Sequence, residues 1–271
     1  MAVPQDSPES ASFFEPLAEN RYAPTAGTRG PWDAESQHAG PPAALLGRAI
    51  ERRPGAREDM RLARITYEIL RPVPIRPLEV EVQVLRAGRG VELLEASLVS
   101  EGGDVVMRAR ALRIRAAAEP VSPAVAQGPQ VAGPGESEVK PFFSVPWDIG
   151  YHTAMEFRFA QGAFTENGPA QCWMRPRLPL VAGEETGGLE RVLLAADSGN
   201  GLSNVLDFGT HVFINPDLTV HLHRHPVGEW VCVDARTSID AAGIGVADAA
   251  LHDEKGPIGR SVQSLFVAPR D

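Results

Sequence analysis

The stretch PDLTVHLHRHPVGEW at residues 216–230 carries the clearest strand pattern in the chain, because apolar and polar side chains alternate through it. TSIDAAGIGVADAAL at 237–251 and GPIGRSVQSLFV at 256–267 continue the pattern, and glycines separate the apolar runs. Three such runs in close succession predict a meander of antiparallel strands in the last quarter of the chain.

Four polar residues interrupt the apolar pattern of these strands. They are Asp217, Thr237, Ser238 and Gln263. A carboxylate can take a proton, and hydroxyl and amide groups can both donate and accept hydrogen bonds, so such a set can position and activate a water molecule. Taken singly, each residue would be a solvated position on a strand or turn.

A helix is predicted upstream by QHAGPPAALLGRAIERR at residues 37–53. Its apolar residues recur at helical spacing, Pro41 and Pro42 suit a first helical turn, and Pro54 follows as a stop. Residues 61–115 then alternate as four strands. This half of the chain therefore predicts a sheet packed on one helix.

The second half repeats this order of elements. Three local matches recur in sequence at offsets of 153, 155 and 153, namely Arg71 with Arg224, residues 87–91 with 242–246, and residues 103–112 with 256–265. Such regularity indicates a duplicated fold. The acid, hydroxyl and amide set occurs only in the second copy, which we therefore expect to carry the chemistry.

The duplication divides the chain into four parts. We predict a loose tail at residues 1–11, a first module at 12–115, a linker rich in Ala, Pro and Gly at 116–140, and a second module at 141–271. Within the second module, the pattern predicts strands at 151–159 and 170–176, a helix at 189–197 and a turn at 198–201.

Composition limits the functional class. The chain has 271 residues, a net charge of −9 and a pI near 5.3, which argue against general binding to nucleic acid or to an acidic membrane. No apolar run approaches the roughly 18 residues of a membrane span, and the N-terminus does not read as a signal peptide. Two cysteines form no disulfide framework, so we expect a cytoplasmic protein.

The order of the motifs resembles the double hot-dog acyl-CoA thioesterases of the acyl-CoA thioesterase II type. The resemblance covers residues 12–270 and rests on these segments: GPWDAESQHAGPPAALLGRAI (30–50), CWMRPRLPL (172–180), AADSGNG (195–201), DLTVHLHR (217–224), GEW (228–230) and SVQSLFV (261–267). It implies an α+β tandem hot-dog, with two antiparallel sheets each wrapped around a central helix.

The resemblance also implies a function. A bacterial, cytoplasmic enzyme of lipid metabolism would hydrolyse acyl-CoA to free CoA and a fatty acid, without a metal or other cofactor. In that family an Asp, a Thr or Ser, and a Gln orient the attacking water. The matching positions here are Asp217, Ser238 with Thr237 as the adjacent candidate, and Gln263, and the resemblance places Asp217 near Gln263.

Two further residues are predicted to bind substrate at the start of the helix. The family often has His-Gly-Gly there, and this chain has His38-Ala39-Gly40. His38 and Gly40 therefore remain candidates, and a backbone N–H near Gly40 would be free to face an oxyanion because helix N-termini leave N–H groups unpaired.

Alternatives stay open at this point. The substitution at Ala39 fits a non-catalytic acyl-CoA or acyl-carrier binding protein, and a hot-dog hydratase would need His38 to face an acid. His221 and His223 on one strand invite a metal, but no third ligand follows them. Asp197 is interpreted as a helix-end residue. The sequence leaves a homodimer or higher homo-oligomer open.

Overall fold

The computed structural model describes residues 11–124 and 130–270. In this part of the chain, 13 strands form one continuous antiparallel sheet. The strands of the first half are β1 (Phe14–Ala18), β2 (Arg21–Pro24), β3 (Met60–Ile69), β4 (Leu78–Ala87), β5 (Val91–Ser100) and β6 (Val105–Arg115). Those of the second half are β7 (Met155–Gln161), β8 (Ala170–Pro176), β9 (His211–Ile214), β10 (Asp217–Leu222), β11 (Val231–Ile239), β12 (Ile244–Asp253) and β13 (Gly256–Pro269).

Four α-helices accompany the sheet in the described residues. They are α1 (Gly40–Arg52), α2 (Tyr151–Ala154), α3 (Gly188–Ala196) and α4 (Gly199–Leu202). None of the helices that the structure describes is long and apolar enough to cross a membrane. The predicted tail lies almost wholly outside the described residues, as do positions 125–129 of the predicted linker.

The strand order repeats between the two halves. It runs β1-β2-β4-β5-β6-β3 and continues as β10-β13-β12-β11-β8-β7. Counted from the outer edge of the sheet to its middle, equivalent strands of the two halves follow in the same order. Strand β9 is an addition that pairs with β13. The halves meet where β3 pairs with β10 around Thr66 and Thr219. These two residues differ by 219 − 66 = 153 positions, the offset of the sequence repeat.

The prediction of two sheets is therefore corrected to one sheet. A separate sheet in each half would leave the backbone N–H and C=O groups of β3 and β10 exposed as edges. Their pairing satisfies those groups, and the Thr219 hydroxyl lies 3.2 Å from that of Thr66 across the joint.

Helix α1 forms where the sequence predicts it and lies almost entirely in the core. Its apolar residues Ala43, Leu46 and Ile50 are fully buried, and α1 contacts the strands of the first half and also α3. The Tyr67 hydroxyl donates to the Ala43 carbonyl at 2.8 Å and ties the helix to β3. Helix α1 of the first half therefore packs against α3 of the second half.

Two short helices differ from the predictions. Residues 151–154 were expected to begin a strand but form α2, because Gly150 donates its N–H to the Thr153 hydroxyl at 3.2 Å and caps the turn. The turn expected at 198–201 instead enters α4, where the Ser203 hydroxyl donates to the Gly199 carbonyl at 2.9 Å. Both helices border the cavity that is described next.

Candidate active site

A cavity of about 520 Å³ lies where the start of α1, the end of α3 and the residues between β9 and β10 meet. Its wall is mostly apolar, and six aromatic rings contribute to it. The rings are those of Trp32, Phe142, Phe143, Tyr151, Phe157 and Phe164. A concave apolar site with a few polar groups is the usual form of a small-molecule site.

The polar group at the centre of this site is the Asp197 carboxyl, which lies just after the last residue of α3 and is buried. Asn215 donates its amide N–H to Asp197 Oδ1 at 2.8 Å, and Gln263 donates to the same oxygen at 3.1 Å. Gln263 also donates to the Asp197 backbone carbonyl at 3.0 Å. Two side-chain amides therefore hold the carboxyl in one orientation.

The N-terminus of α1 also faces this carboxyl. The backbone N–H groups of Ala39 and Gly40 act to lower the pKa of Asp197, as free N–H groups at a helix start can do. Gly40 has to be a glycine here, because a Cβ atom would lie 2.4 Å from the Leu194 carbonyl oxygen. The close approach of α1 to α3 therefore brings the donors of one helix to the acid at the end of the other.

His38 lies beside the acid in the cavity wall. Its Nδ1 is 3.2 Å from Asp197 Oδ2 and accepts the Gly40 N–H at 3.1 Å. Its ring stacks on Tyr151 with 3.8 Å between ring centroids. The Tyr151 hydroxyl is fixed in turn by the Leu194 carbonyl at 2.6 Å. The imidazole is therefore held in place on its face and at one nitrogen.

Burial shifts the pKa values of both groups. It raises the pKa of Asp197 to about 7, although hydrogen bonds from Asn215, Ala39, Gln263 and Gly40 act in the opposite direction. It lowers the pKa of His38 to about 3, so the imidazole is neutral at pH 7. The short contact between the two residues is therefore not an ion pair. An acid that titrates near neutral pH suits general base or general acid chemistry.

Gln263 is the member of the predicted polar set that reaches this site. It is fully buried on β13, and its Oε1 accepts the Asn200 N–H at 3.1 Å. Its neighbours Val262 and Ser264 point to the opposite face of the sheet. His38 and Gly40, predicted to bind substrate, also lie at this site.

Asp217 does not lie at the site. On β10 the buried residues are Leu218, Val220 and Leu222, so the side chain of Asp217 lies on the other face of the sheet from Gln263. There its Oδ1 accepts the Ser264 N–H at 2.6 Å. Asp217 was expected to lie near Gln263, and this prediction is wrong. Side chains alternate between the two faces along a strand, and those of Asp217 and Gln263 lie on opposite faces.

The two predicted hydroxyl residues are also outside the cluster around Asp197. Ser238 is exposed on the outer face of β11. Thr237 lies on the inner face but is separated from Gln263 by Ala247, which pairs with both residues, and its hydroxyl contacts Ser203 at 2.8 Å. An amide, Asn215, occupies the place beside the acid where a hydroxyl was expected.

Two central residues were missed by the sequence reading. Asp197 was interpreted as a helix-end residue and Asn215 was not singled out. One signal was available for Asp197, because a carboxylate at the end of a helix faces the negative end of the helix dipole and is unfavourable there without a special reason. Asn215 stands in the two-residue loop Asn215-Pro216 between β9 and β10, where an asparagine is ordinary.

A larger cleft of about 890 Å³ lies on the opposite face of the sheet and contains none of the residues around Asp197. It holds His221, His223 and His252, together with charged residues of both signs. In residues 11–124 and 130–270 no group of three or more His, Cys, Asp or Glu side chains could hold a metal ion. The smaller cavity is the candidate site, because it combines a buried acid with fixed donors.

Comparison with protein families gives two adjoining matches. Residues 28–114 match the acyl-CoA thioesterase N-terminal domain, and residues 127–267 match the acyl-CoA thioesterase C-terminal domain. A search of curated protein sequences returned no match.

Solved structures of similar fold cover nearly the whole chain. A conserved protein with a hot dog fold from Alicyclobacillus acidocaldarius is 15% identical, with a TM-score of 0.72 over 96% of this chain and 97% of that one. A tesB protein of Mycobacterium avium subsp. paratuberculosis is 16% identical, with a TM-score of 0.66 and coverage of 94% and 96%. The acyl-CoA thioesterase II TesB2 of Mycobacterium marinum is 13% identical, with a TM-score of 0.65 and coverage of 95% and 96%. These likenesses show the hot-dog fold.

Proposed function

The chain belongs to the acyl-CoA thioesterase family, and from this premise we propose that it hydrolyses acyl-CoA to free CoA and a carboxylic acid at the Asp197 site. One observation carries the proposal. A buried carboxyl, whose pKa burial raises to about 7, is held by two amides at an aromatic cavity. Such a group can accept a proton at neutral pH, and the cavity can accept the acyl chain.

The reaction follows from the position of the acid. The Asp197 carboxylate takes a proton from a water molecule as the water oxygen bonds to the thioester carbonyl carbon. The tetrahedral intermediate then collapses, the carbon–sulfur bond breaks, and the proton passes to the departing thiolate. Asn215 and Gln263 keep the carboxylate aligned for both proton transfers.

His38 supplies a donor for the carbonyl oxygen. Its Nδ1 accepts the Gly40 N–H and lies 3.2 Å from Asp197 Oδ2, so once Asp197 holds the proton taken from water it can donate to Nδ1 of a neutral ring whose own proton is on Nε2. Since His38 lines the cavity, Nε2–H is available to the oxygen on which negative charge develops. A neutral imidazole fixed by Tyr151 can provide this hydrogen bond without reorganisation.

The finer fold assignment belongs to the same proposal. We assign residues 12–115 and 141–271 as two hot-dog modules, each wrapped around its own helix, with 116–140 as the linker. A cytoplasmic location is supported by Cys172 and Cys232, which are both free and buried.

The test is thiol release from a panel of acyl-CoAs of increasing chain length. Asp197→Asn should lower kcat by about 100-fold or more while the protein stays folded. Asp217→Asn is the matched control, because it removes an aspartate from the opposite face of the sheet, and it should keep wild-type activity. Full activity in Asp197→Asn contradicts the proposal. Binding of acyl-CoA without release of CoA would favour the non-catalytic alternative.

A second candidate function is hydration of enoyl-CoA. The observation that favours it is the His38–Asp197 pair at 3.2 Å, since a hydratase would need a histidine that faces an acid. The two activities are separated by incubating the protein with an enoyl-CoA and measuring both the double-bond absorbance and free thiol. Loss of absorbance without thiol release supports hydration, and thiol release with the double bond retained supports hydrolysis.

A further inference from the structure

The inner end of the cavity around Asp197 is formed by aromatic rings. Tyr151, Phe157 and Phe164 line this cavity and are 2%, 8% and 3% exposed, so they lie in its interior. Other lining residues are about half exposed and mark the opening, namely Trp32, Leu70 and Ile214. A group that enters through this opening therefore meets aromatic rings at the closed end.

The inner rings form a continuous series that begins beside His38. The His38 ring stacks on Tyr151, and the Tyr151 ring centroid lies 6.3 Å from that of Phe157. Phe157 lies 5.1 Å from Phe164 at an interplanar angle of 81°, and Phe142 lies 4.4 Å from Phe164 at 58°. Because these rings meet at steep angles, their exposed surfaces include both edges and faces. Such a surface can pair with a further ring, since aromatic edges are positive and aromatic faces are negative.

We propose that the site takes acyl-CoA molecules whose acyl group carries an aromatic ring close to the thioester, such as arylacetyl-CoA. The proposal rests on the proposed function and names its substrate class. The phosphates of CoA carry charge that is costly to bury, so the CoA part leaves through the opening. With the thioester carbonyl beside His38 and Asp197, the acyl group then points to the rings around Phe157.

The ring-lined end distinguishes an aromatic acyl group from an aliphatic one of equal size. Both groups bury apolar surface, and the gain from this burial follows the area removed from water. Only the aromatic group adds edge-to-face or offset-stacked contacts to that gain. The preference is therefore a property of the rings in the wall, and it should weaken where a ring is replaced by an aliphatic side chain.

The experiment compares phenylacetyl-CoA with cyclohexylacetyl-CoA, which has the same number of carbon atoms and the same branching but no π system. Thiol release is measured with both. The wild-type protein should favour phenylacetyl-CoA by about 3- to 10-fold in kcat/KM, which is the effect of one aromatic pair. Phe142→Leu is the test variant, because Phe142 is only partly buried and its replacement disturbs the core least. It should lower the ratio by about twofold or more.

Phe14→Leu is the control, because it removes a fully buried ring on β1, outside the cavity wall, and it should keep the wild-type ratio. The ratio is measured within each variant, so a general loss of activity does not change it. A wild-type ratio at or below 1 overturns the substrate class, even if Phe142→Leu fails to fold. An unchanged ratio in folded Phe142→Leu overturns it as well.

Straight-chain acyl-CoAs separate this proposal from the one on which it rests. Thiol release from them, with none from either ring-bearing thioester, overturns the substrate class alone. Absence of thiol release from the two ring-bearing thioesters and from the straight-chain acyl-CoAs overturns the proposed function instead.

Discussion

At Asp197, burial and hydrogen bonding act on the pKa in opposite directions, and burial has the larger effect. The donors from Asn215 and Gln263 prevent the pKa from rising further. The amides therefore do more than orient the acid, because they also set the pH at which it becomes a base.

The pH profile of kcat/KM should report this balance. In the wild-type protein, activity should rise with pH through about 7, as Asp197 loses its proton and becomes able to accept one from water. Asn215→Leu removes a donor that lowers the pKa, so the acid limb should move to higher pH and kcat should fall. If the acid limb of the variant's pH profile lies at the wild-type pH, the titrating group is not in contact with Asn215.

The same pKa predicts an effect on stability. An aspartate ionises near pH 3.8 in the unfolded chain and near 7 at this buried position. Between these values the folded state holds the proton that the unfolded state has lost, so the free energy of unfolding falls as pH rises. The loss reaches up to about 4 kcal/mol above pH 7.

Asp197→Asn should remove this loss. We expect the variant to be more stable than the wild-type protein at pH 8 by about 2–4 kcal/mol, with a difference that shrinks towards pH 4. Urea unfolding of both proteins at several pH values measures it. A difference that is constant across pH would show that Asp197 does not titrate abnormally.

The sequence singled out Gln263, His38 and Gly40, which the structure places around Asp197, but not Asp197 itself. Each of these has a local signal, either a polar residue in an apolar strand or a position at the start of a helix. The importance of Asp197 depends on the packing of α1 against α3, and that distance cannot be read from one sequence. Asp217 was predicted as the catalytic acid because the sequence of one strand does not show which of its faces points to the site. That depends on its pairing with the neighbouring strands.

At the level of elements, the long periodic segments were predictable and the short ones were not. Helix α1 has a full apolar stripe, and β3 to β6 alternate over about ten residues each. Helices α2 and α4 have only four residues, and isolated helices of that length are unstable in water. They form because tertiary contacts such as the Asn200–Gln263 hydrogen bond hold them.

The contact between α1 and α3 can be tested at Gly40. Gly40→Ala puts a methyl group 2.4 Å from the Leu194 carbonyl oxygen, so the helices must move apart. We expect a loss of about 1–3 kcal/mol in stability and a fall in kcat, because the donors at Ala39 and Gly40 leave Asp197. Gly90→Ala is the control, since its new methyl group meets no atom within 4 Å. Wild-type activity in Gly40→Ala would show that the helix approach is unimportant.

For the whole molecule, the candidate site contains residues of both halves, whereas the second copy alone was expected to carry the chemistry. Asp197, Asn215 and Gln263 belong to the second half, but His38 and the N–H groups of α1 belong to the first. The duplication was visible in the sequence because similar segments recur at a fixed offset. Its consequence for the site was not, because the pairing of β3 with β10 and the contact of α1 with α3 join residues that are far apart in sequence.

The covalent connection between the halves should therefore be dispensable once they have folded together. Arg48 and Arg52 of α1 pair with Glu184 and Glu190 of the second half, the latter at 3.1 Å, and these contacts add to the β3–β10 ladder. A protease site inserted after Pro120, in an exposed part of the predicted linker, allows the folded protein to be cut.

The cut protein should elute as one species in size-exclusion chromatography and keep most of its thiol-releasing activity, because every group around Asp197 remains in place. Either half produced alone should be inactive, since each lacks part of the site. Activity in the isolated second half would show that this half contains the complete site. Separation of the halves after cutting would show that their contacts are too weak to hold the site together without the linker.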